Sequence, residues 1–165
     1  MNKITQNAID IGINCILKTY EGLSLIPYLC PAGKPTIAYG NTMYENGTVV
    51  TMMDKPITED RAKQIMEYHL YQRVIPELQT LLYQLKDQQN GALISFVYNL
   101  GETIFRKSRL KELINVSPAD KNIKYCWLSF NKIKKGNEFI VLNGLTQRRE
   151  WEYQIYSCKI YNNTL

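Results

Sequence analysis

Strand-type patterning is confined to one stretch of this chain, residues 22–57, and helical periodicity occupies the sequence on either side of it. Ile4, Ala8, Ile11, Cys15 and Ile16 recur on one stripe and predict a first amphipathic helix over residues 3–19. Tyr20-Glu21-Gly22 should end it, because Gly22 adopts a left-handed terminus at little cost. Turn formers at Pro31-Ala32-Gly33-Lys34-Pro35 and Asn46-Gly47 then separate short β-type pieces, among them Thr36-Ile37-Ala38-Tyr39 and Thr48-Val49-Val50-Thr51. Together these predict a small antiparallel sheet. The helical period returns at Thr58, a cap followed by Glu59 and Asp60, where the helix dipole favours negative charge. Ala62, Ile65, Met66, His69 and Arg73 continue that helix, and Pro76 must kink or restart it by removing a backbone donor. Further helices are expected over residues 87–100, 107–114, 119–130 (Ser117 as cap, Pro118 in the first turn) and 145–159. The fold class is therefore α+β, with its strands segregated near the start. Such a layout produces two lobes with a cleft between them. The sheet lobe would span residues 21–57, a long interlobe helix residues 58–83, and a helical lobe residues 84–165 together with the first helix.

A chain of 165 residues with 45% apolar and 21% charged residues forms one ordinary domain with a full core and is neither disordered nor fibrous. Its uninterrupted apolar stretches, such as Gly91-Ala92-Leu93-Ile94 and Phe139-Ile140-Val141-Leu142, fall far short of the roughly 18–20 residues of a membrane span. The segment Met1-Asn2-Lys3-Ile4-Thr5-Gln6-Asn7 lacks the apolar core of a secretory signal, so synthesis and accumulation in the cytoplasm are expected. The net charge of +5 is uneven. Residues 83–165 hold 13 basic and 7 acidic side chains, and residues 1–82 hold 7 and 8. A basic half suits an anionic partner such as nucleic acid, a membrane surface or a polyanionic wall. Nucleic-acid readers carry denser clusters than Lys132-Ile133-Lys134-Lys135, the densest here, which argues against nucleic acid. Cysteines 15, 30, 126 and 158 and a single histidine have no metal-ligand spacing, so no metal site is expected from them.

A functional site in such a fold combines the early hairpin with the later helices. Glu21 sits at a helix end. Eight residues separate it from Cys30, and five separate Cys30 from Thr36. A hairpin folding back over the helix end would bring all three side chains to one side of the cleft, with Glu21 facing a substrate bond and Cys30 and Thr36 holding a water.

This stretch resembles the catalytic segment of the phage-type lysozymes, in which Glu, eight residues, Asp or Cys, five residues and Thr follow in order. Other segments extend the resemblance over residues 4–156. Lys55-Pro56-Ile57-Thr58-Glu59-Asp60-Arg61-Ala62 is similar to the start of the family's interlobe helix. Gly91-Ala92-Leu93-Ile94-Ser95-Phe96-Val97-Tyr98-Asn99-Leu100-Gly101 resembles its central buried helix, and Phe105, Ser108 and Leu110 fit the next element. Gly144-Leu145-Thr146-Gln147-Arg148-Arg149-Glu150-Trp151-Glu152 is similar to its late signature. The resemblance implies a lysozyme-like two-lobed domain without metal or organic cofactor, hydrolysing the β-1,4 bond between N-acetylmuramic acid and N-acetylglucosamine in peptidoglycan. Glu21 would be the general acid, with a pKa raised by burial in the cleft. Arg148 or Arg149 would hold it, lowering its pKa while fixing its rotamer. Thr42, Tyr98 and Ser108 match positions lining the sugar cleft. A monomer is expected, reaching the wall through a holin-like pore, another export machine or host lysis.

Cys30 departs from the commoner Asp, and a free thiol is only slightly ionised at pH 7 unless its site lowers the pKa. Three roles stay open: it positions or activates water with Thr36, giving inversion; it attacks as thiolate, giving retention; or Glu21 suffices. Oxidation or pairing with Cys15 would remove a thiolate role. Ala38 replaces a usual glycine and would put a methyl where the backbone approaches substrate, while Asn41 stands where many relatives have His. Residues 43–55 form a longer connection than usual, and His69 reads as structural. The competing functions are a wall-glycan-binding homologue that has lost catalysis and a lytic transglycosylase; the Cys30 and Thr36 pair argues against the latter.

Overall fold

The computed structural model describes residues 1–17 and 22–158, apart from the side chains of Cys15 and Ile16. Glu21 and the expected helix end at Tyr20-Glu21 lie outside the described residues. The first helix, α1 (Gln6–Asp10), is capped by Thr5, whose side chain accepts from the Ala8 amide, and continues as a wider π-wound segment, Ile11–Leu17. Ahead of it, buried Asn2 donates to the Leu78 carbonyl and the Asn90 side chain and accepts from the Leu85 amide, fixing the start of the chain to the helical region.

Strands β1 (Ser24–Leu29) and β2 (Pro35–Ala38) form an antiparallel pair, with Tyr28 opposite Thr36 and Leu29 opposite Pro35. Residues 43–55 add a second turn. Met43 bridges Val49, Gly47 takes a φ of 83° in the turn, and Asp54 accepts from the Thr51 amide and hydroxyl and from Tyr44 Oη. Burial, followed by this contact with the Asp54 carboxylate, pushes the Tyr44 phenol up to about 12. A bidentate Arg61–Glu45 pair ties the loop to the next helix.

Helix α2 (Glu59–His69) begins at Thr58, whose hydroxyl accepts from the Arg61 amide, as its sequence predicts. It widens into a π-wound turn, Leu70–Val74, in which the Ile75 amide donates to the Leu70 carbonyl five residues back, and resumes as α3 (Ile75–Gln79). Pro76 accounts for the change: it offers no amide to the turn before it, so the ladder re-registers instead of breaking. Next come α4 (Asp87–Leu100), α5 (Glu102–Arg106), α6 (Arg109–Val116), α7 (Asn122–Leu128) and α8 (Asn143–Tyr156).

Three expectations need correction. The helix expected over residues 107–114 is found two residues later as α6, because the Ser108 side chain accepts from the Lys111 amide and sets its start, and the separate short helix α5 precedes it. The helix expected over 119–130 starts at Asn122. Ser117, held extended before Pro118, ends α6, and Asp120 accepts from the Asn122 amide. The strands are also not segregated near the start. Residues 132–141 form a second antiparallel hairpin, β3 (Lys132–Lys135) and β4 (Glu138–Val141), closed by Gly136 at a φ of 62° and Asn137. Glycine at the first of two loop residues is what a type II′ turn requires.

Helix α4 is the axis of the larger core. Ala92, Leu93, Ile94, Phe96 and Val97 are all buried, with Trp127, Phe105, Leu110 and Ile155 around them. A smaller cluster of Ile37, Ala38, Val50, Ala62 and Ile65 underlies the first sheet. The π-wound segment crosses α4 at two glycines. A Cβ on Gly91 would lie 2.8 Å from Ile11 Cβ and 3.2 Å from the Ala8 carbonyl oxygen, and one on Gly12 would meet Ile94 Cγ2 at 2.5 Å. Gly91→Ala should therefore destabilise the protein by about 1–3 kcal/mol, overriding the helix-propensity gain of about 1 kcal/mol. Urea unfolding checks this, and an unchanged or raised midpoint would contradict the close crossing.

Candidate active site

The turn between β1 and β2 builds the first wall. The Cys30 amide donates to the Lys34 carbonyl at 3.0 Å, and the Gly33 amide donates to the Cys30 carbonyl at 2.8 Å, with Gly33 at a φ of 74°. This tight turn folds the backbone of Ala32 and Lys34 around the thiol. Partial burial raises the Cys30 pKa, but hydrogen bonds from the Lys34 and Ala32 backbone and from Thr36, together with the Lys34 charge, outweigh it and hold the thiol below its ordinary value. Thr36 is buried, and its hydroxyl also donates to the Lys34 carbonyl at 2.9 Å. A hydroxyl has one proton, so ionisation of Cys30 would draw that proton from the carbonyl to the sulfur. Cys30 and Thr36 are thus brought together, as expected. Cys30 is a free thiol, as are Cys126 and Cys158, while Cys15 falls outside the described side chains.

A cleft of about 330 Å³ opens beside this turn, lined by Lys34 and residues 40–43 on one side, His69, Arg73 and Val74 on its floor and residues 97–102 on the other side. Thr42 and Tyr98 line it. Ser108 is placed elsewhere: its hydroxyl donates to the Phe105 carbonyl at 2.7 Å and caps α6. One contact joins the walls and two tie the floor to the first wall. Tyr98 Oη donates to Asn41 Oδ1 at 3.0 Å, His69 Nε2 lies 2.8 Å from the Met43 carbonyl oxygen, and Arg73 reaches Met43 Sδ. His69 is structural, as its sequence context suggested, and it also faces the cleft. Lys34, His69 and Arg73 were missed as lining residues. The available signal was the i, i+4 pair His69 and Arg73, polar positions that continue the apolar stripe of a helix expected between two lobes. Ala38 does not line this cleft. Its methyl is fully buried in the small core and its φ is 56°, which explains why glycine would suit the position.

Behind the far wall, α8 turns Arg148 and Arg149 inward, and both are buried. Both converge on Glu152. Arg148 Nε donates to Glu152 Oε1 at 2.9 Å and Arg149 Nη1 to Oε2 at 2.6 Å. Ser95 Oγ and Trp127 Nε1 donate to the same carboxylate at 2.7 and 3.2 Å. Arg148 also donates to the Ser95 carbonyl and hydroxyl. Arg149 donates to the Phe130 carbonyl and Asn99 Oδ1 and lies 4.7 Å over the Phe96 ring. The described members, two guanidinium groups and one carboxylate, carry a net charge of +1.

A small-sheet lobe and a helical lobe meeting at a polar cleft define the lysozyme-like class of α+β folds. Comparison with known proteins agrees. The family model for phage lysozymes matches residues 18–152. The endolysin of Acyrthosiphon pisum secondary endosymbiont phage 1 is 28% identical over 141 residues, covering 86% of this chain and 92% of that protein. The endolysin of Bacillus phage B103 is 28% identical over 150 residues, covering 91% of this chain and 54% of that protein. Among solved structures, the endolysin from Escherichia coli O157:H7 phage FAHEc1 superposes with a TM-score of 0.79 at 25% identity, covering 96% of this chain and 95% of that one. The chain belongs to the phage lysozyme family, and it is accordingly a glycoside hydrolase of the muramidase class whose substrate is peptidoglycan.

Proposed function

We propose that Glu21 is the general acid of glycan cleavage and that Cys30 and Thr36 hold and activate the attacking water. The observation that carries this reading is the β1–β2 turn, which folds tightly at Cys30 and sets Thr36 beside it, an environment that holds the partly buried thiol below its ordinary pKa. Water held opposite the acid gives inversion at the anomeric carbon. Glu21 is the residue before exposed Gly22 and falls within the family match. The positive charge of the Arg148, Arg149 and Glu152 cluster is suited to orient its carboxylate, and both that cluster and the π-wound segment leading towards Glu21 belong to helices packed on α4. Thr42 and Tyr98 contact the sugars across the cleft, whereas Ser108 serves as a helix cap. A lysozyme domain of this size needs no partner subunit, and the protein works as a monomer. No described helix is long and apolar enough to cross a membrane; a holin-type pore, another export machine or host lysis would bring the protein to the wall.

Digestion of purified peptidoglycan with reducing-end analysis tests this. Wild type should create new reducing muramic acid ends and Glu21→Gln should not. Intact glycan after treatment with folded wild type would overturn the reading, and anhydromuramic ends would replace it with a transglycosylase. The thiol also fixes a pH dependence. Because ionised Cys30 is favoured, kcat/KM should rise with pH through a thiol pKa lower than usual, and the rise should vanish in Cys30→Ser. The same rise in Cys30→Ser would remove the thiol from the mechanism.

A further inference from the structure

The hairpin of β3 and β4 lies outside both buried clusters and takes no part in the cleft. Its base is fixed: the Leu142 amide donates to the Asn131 carbonyl at 3.0 Å, and Asn131 Nδ2 donates to Thr146 Oγ1 at 3.1 Å. The register pairs Lys132 with Val141 and Lys134 with Phe139 on one face, and Ile133 with Ile140 and Lys135 with Glu138 on the other. Ile133 is half-buried and Ile140 is 38% exposed, whereas Phe139 and Val141 are 70% and 50% exposed. The Lys132, Lys134, Phe139 and Val141 face therefore looks to solvent. Among the described residues, none of the three hairpin lysines forms an ion pair.

A face of alternating ammonium and apolar groups matches one kind of surface. A soluble polyanion would engage the lysines and leave Phe139 and Val141 in water. The boundary of an anionic phospholipid bilayer takes both, with the apolar side chains below the phosphates and the lysine stems lying along them with their charges at the phosphate level. Strands of four residues reach roughly 13 Å, too short for the ~30 Å hydrocarbon core but sufficient for the 5–10 Å depth of an interfacial contact. We propose that this hairpin face docks the protein on the surface of an anionic phospholipid bilayer, without insertion across it. The proposal does not depend on the roles assigned to Glu21 and Cys30.

Co-sedimentation with vesicles of phosphatidylglycerol and phosphatidylethanolamine, against vesicles of phosphatidylcholine, tests it. Wild type should bind the anionic vesicles and not the neutral ones. Each of Lys132→Gln and Lys134→Gln should weaken binding roughly fivefold, and Phe139→Ser about tenfold or more. The charge-matched pair Lys3→Gln/Lys55→Gln, exposed lysines outside the hairpin, should stay within about twofold of wild type, because docking is confined to the hairpin face. Thermal unfolding shows that each variant is folded. A further variant, Phe139→Trp, should show blue-shifted emission on the anionic vesicles. Equal binding to both vesicles, loss as large in the control pair, an unshifted Phe139→Trp spectrum, or undiminished binding by Phe139→Ser would each overturn the proposal, the last by leaving the lysines to a soluble polyanion.

Discussion

Glu152→Ala is expected to lower the free energy of unfolding by about 3–5 kcal/mol, the usual cost of removing one partner from a buried ionic group. The Glu152 carboxylate is wholly buried and accepts from Arg148, Arg149, Ser95 and Trp127, so its loss removes the carboxylate that both guanidinium groups and two neutral donors share in the interior of the helical lobe. For a domain of this size the fall in Tm is roughly 6–20 °C. Glu152→Gln should be milder, since an amide oxygen still accepts, although it no longer balances charge. A Tm for Glu152→Ala within about 2 °C of wild type would show that the cluster is not what holds α8 against α4.

Glu21→Gln is expected to reduce peptidoglycan cleavage by about 10²–10⁴-fold, the range that general acid catalysis supplies. Thermal unfolding of the same variant separates this loss of activity from a loss of fold. Cys30 variants then rank the roles of the thiol. If the sulfur and Thr36 handle water, Cys30→Ser retains the geometry but loses the readily ionised group, and its rate falls while KM stays near that of wild type. If Glu21 suffices, Cys30→Ser matches wild type. A Cys30 nucleophile would leave a covalent glycosyl-enzyme, detectable by intact mass after rapid quenching. Loss of no more than a few-fold in Glu21→Gln would remove it as the acid.

Much of the fold was legible because local and global preferences agree. Asp87–Leu100 is apolar on nearly all sides and is found as one buried helix, and Thr58 with Glu59 and Asp60 announces a helix start that the structure keeps. The Cys30 and Thr36 juxtaposition was legible through the turn formers between them. What escaped reading is set by tertiary or competing local effects. The π-wound segment Ile11–Leu17 has no marker of its own and lies where Gly12 and Gly91 let two backbones approach. The second hairpin carried its turn signal, Gly136-Asn137, but its flanks read as a basic cluster and an apolar stretch, because a hairpin that leans on no core shows no inward and outward alternation of apolar and polar residues. Arg148 and Arg149 were both drawn inward because one carboxylate has two oxygens to offer.

Among the described residues the two buried clusters differ greatly in extent: five under the first sheet against twenty-three around α4. Sub-global opening follows the smaller one. The β1–β2 turn, with Cys30 and Thr36, should visit open states at a fraction of the free energy needed to unfold α4, so its amides exchange with solvent hydrogen through local excursions. Glycan strands are long and cross-linked, and a wall that loosens on its own while the opposite wall stays rigid gives such a polymer a way in from the side, without requiring a free chain end.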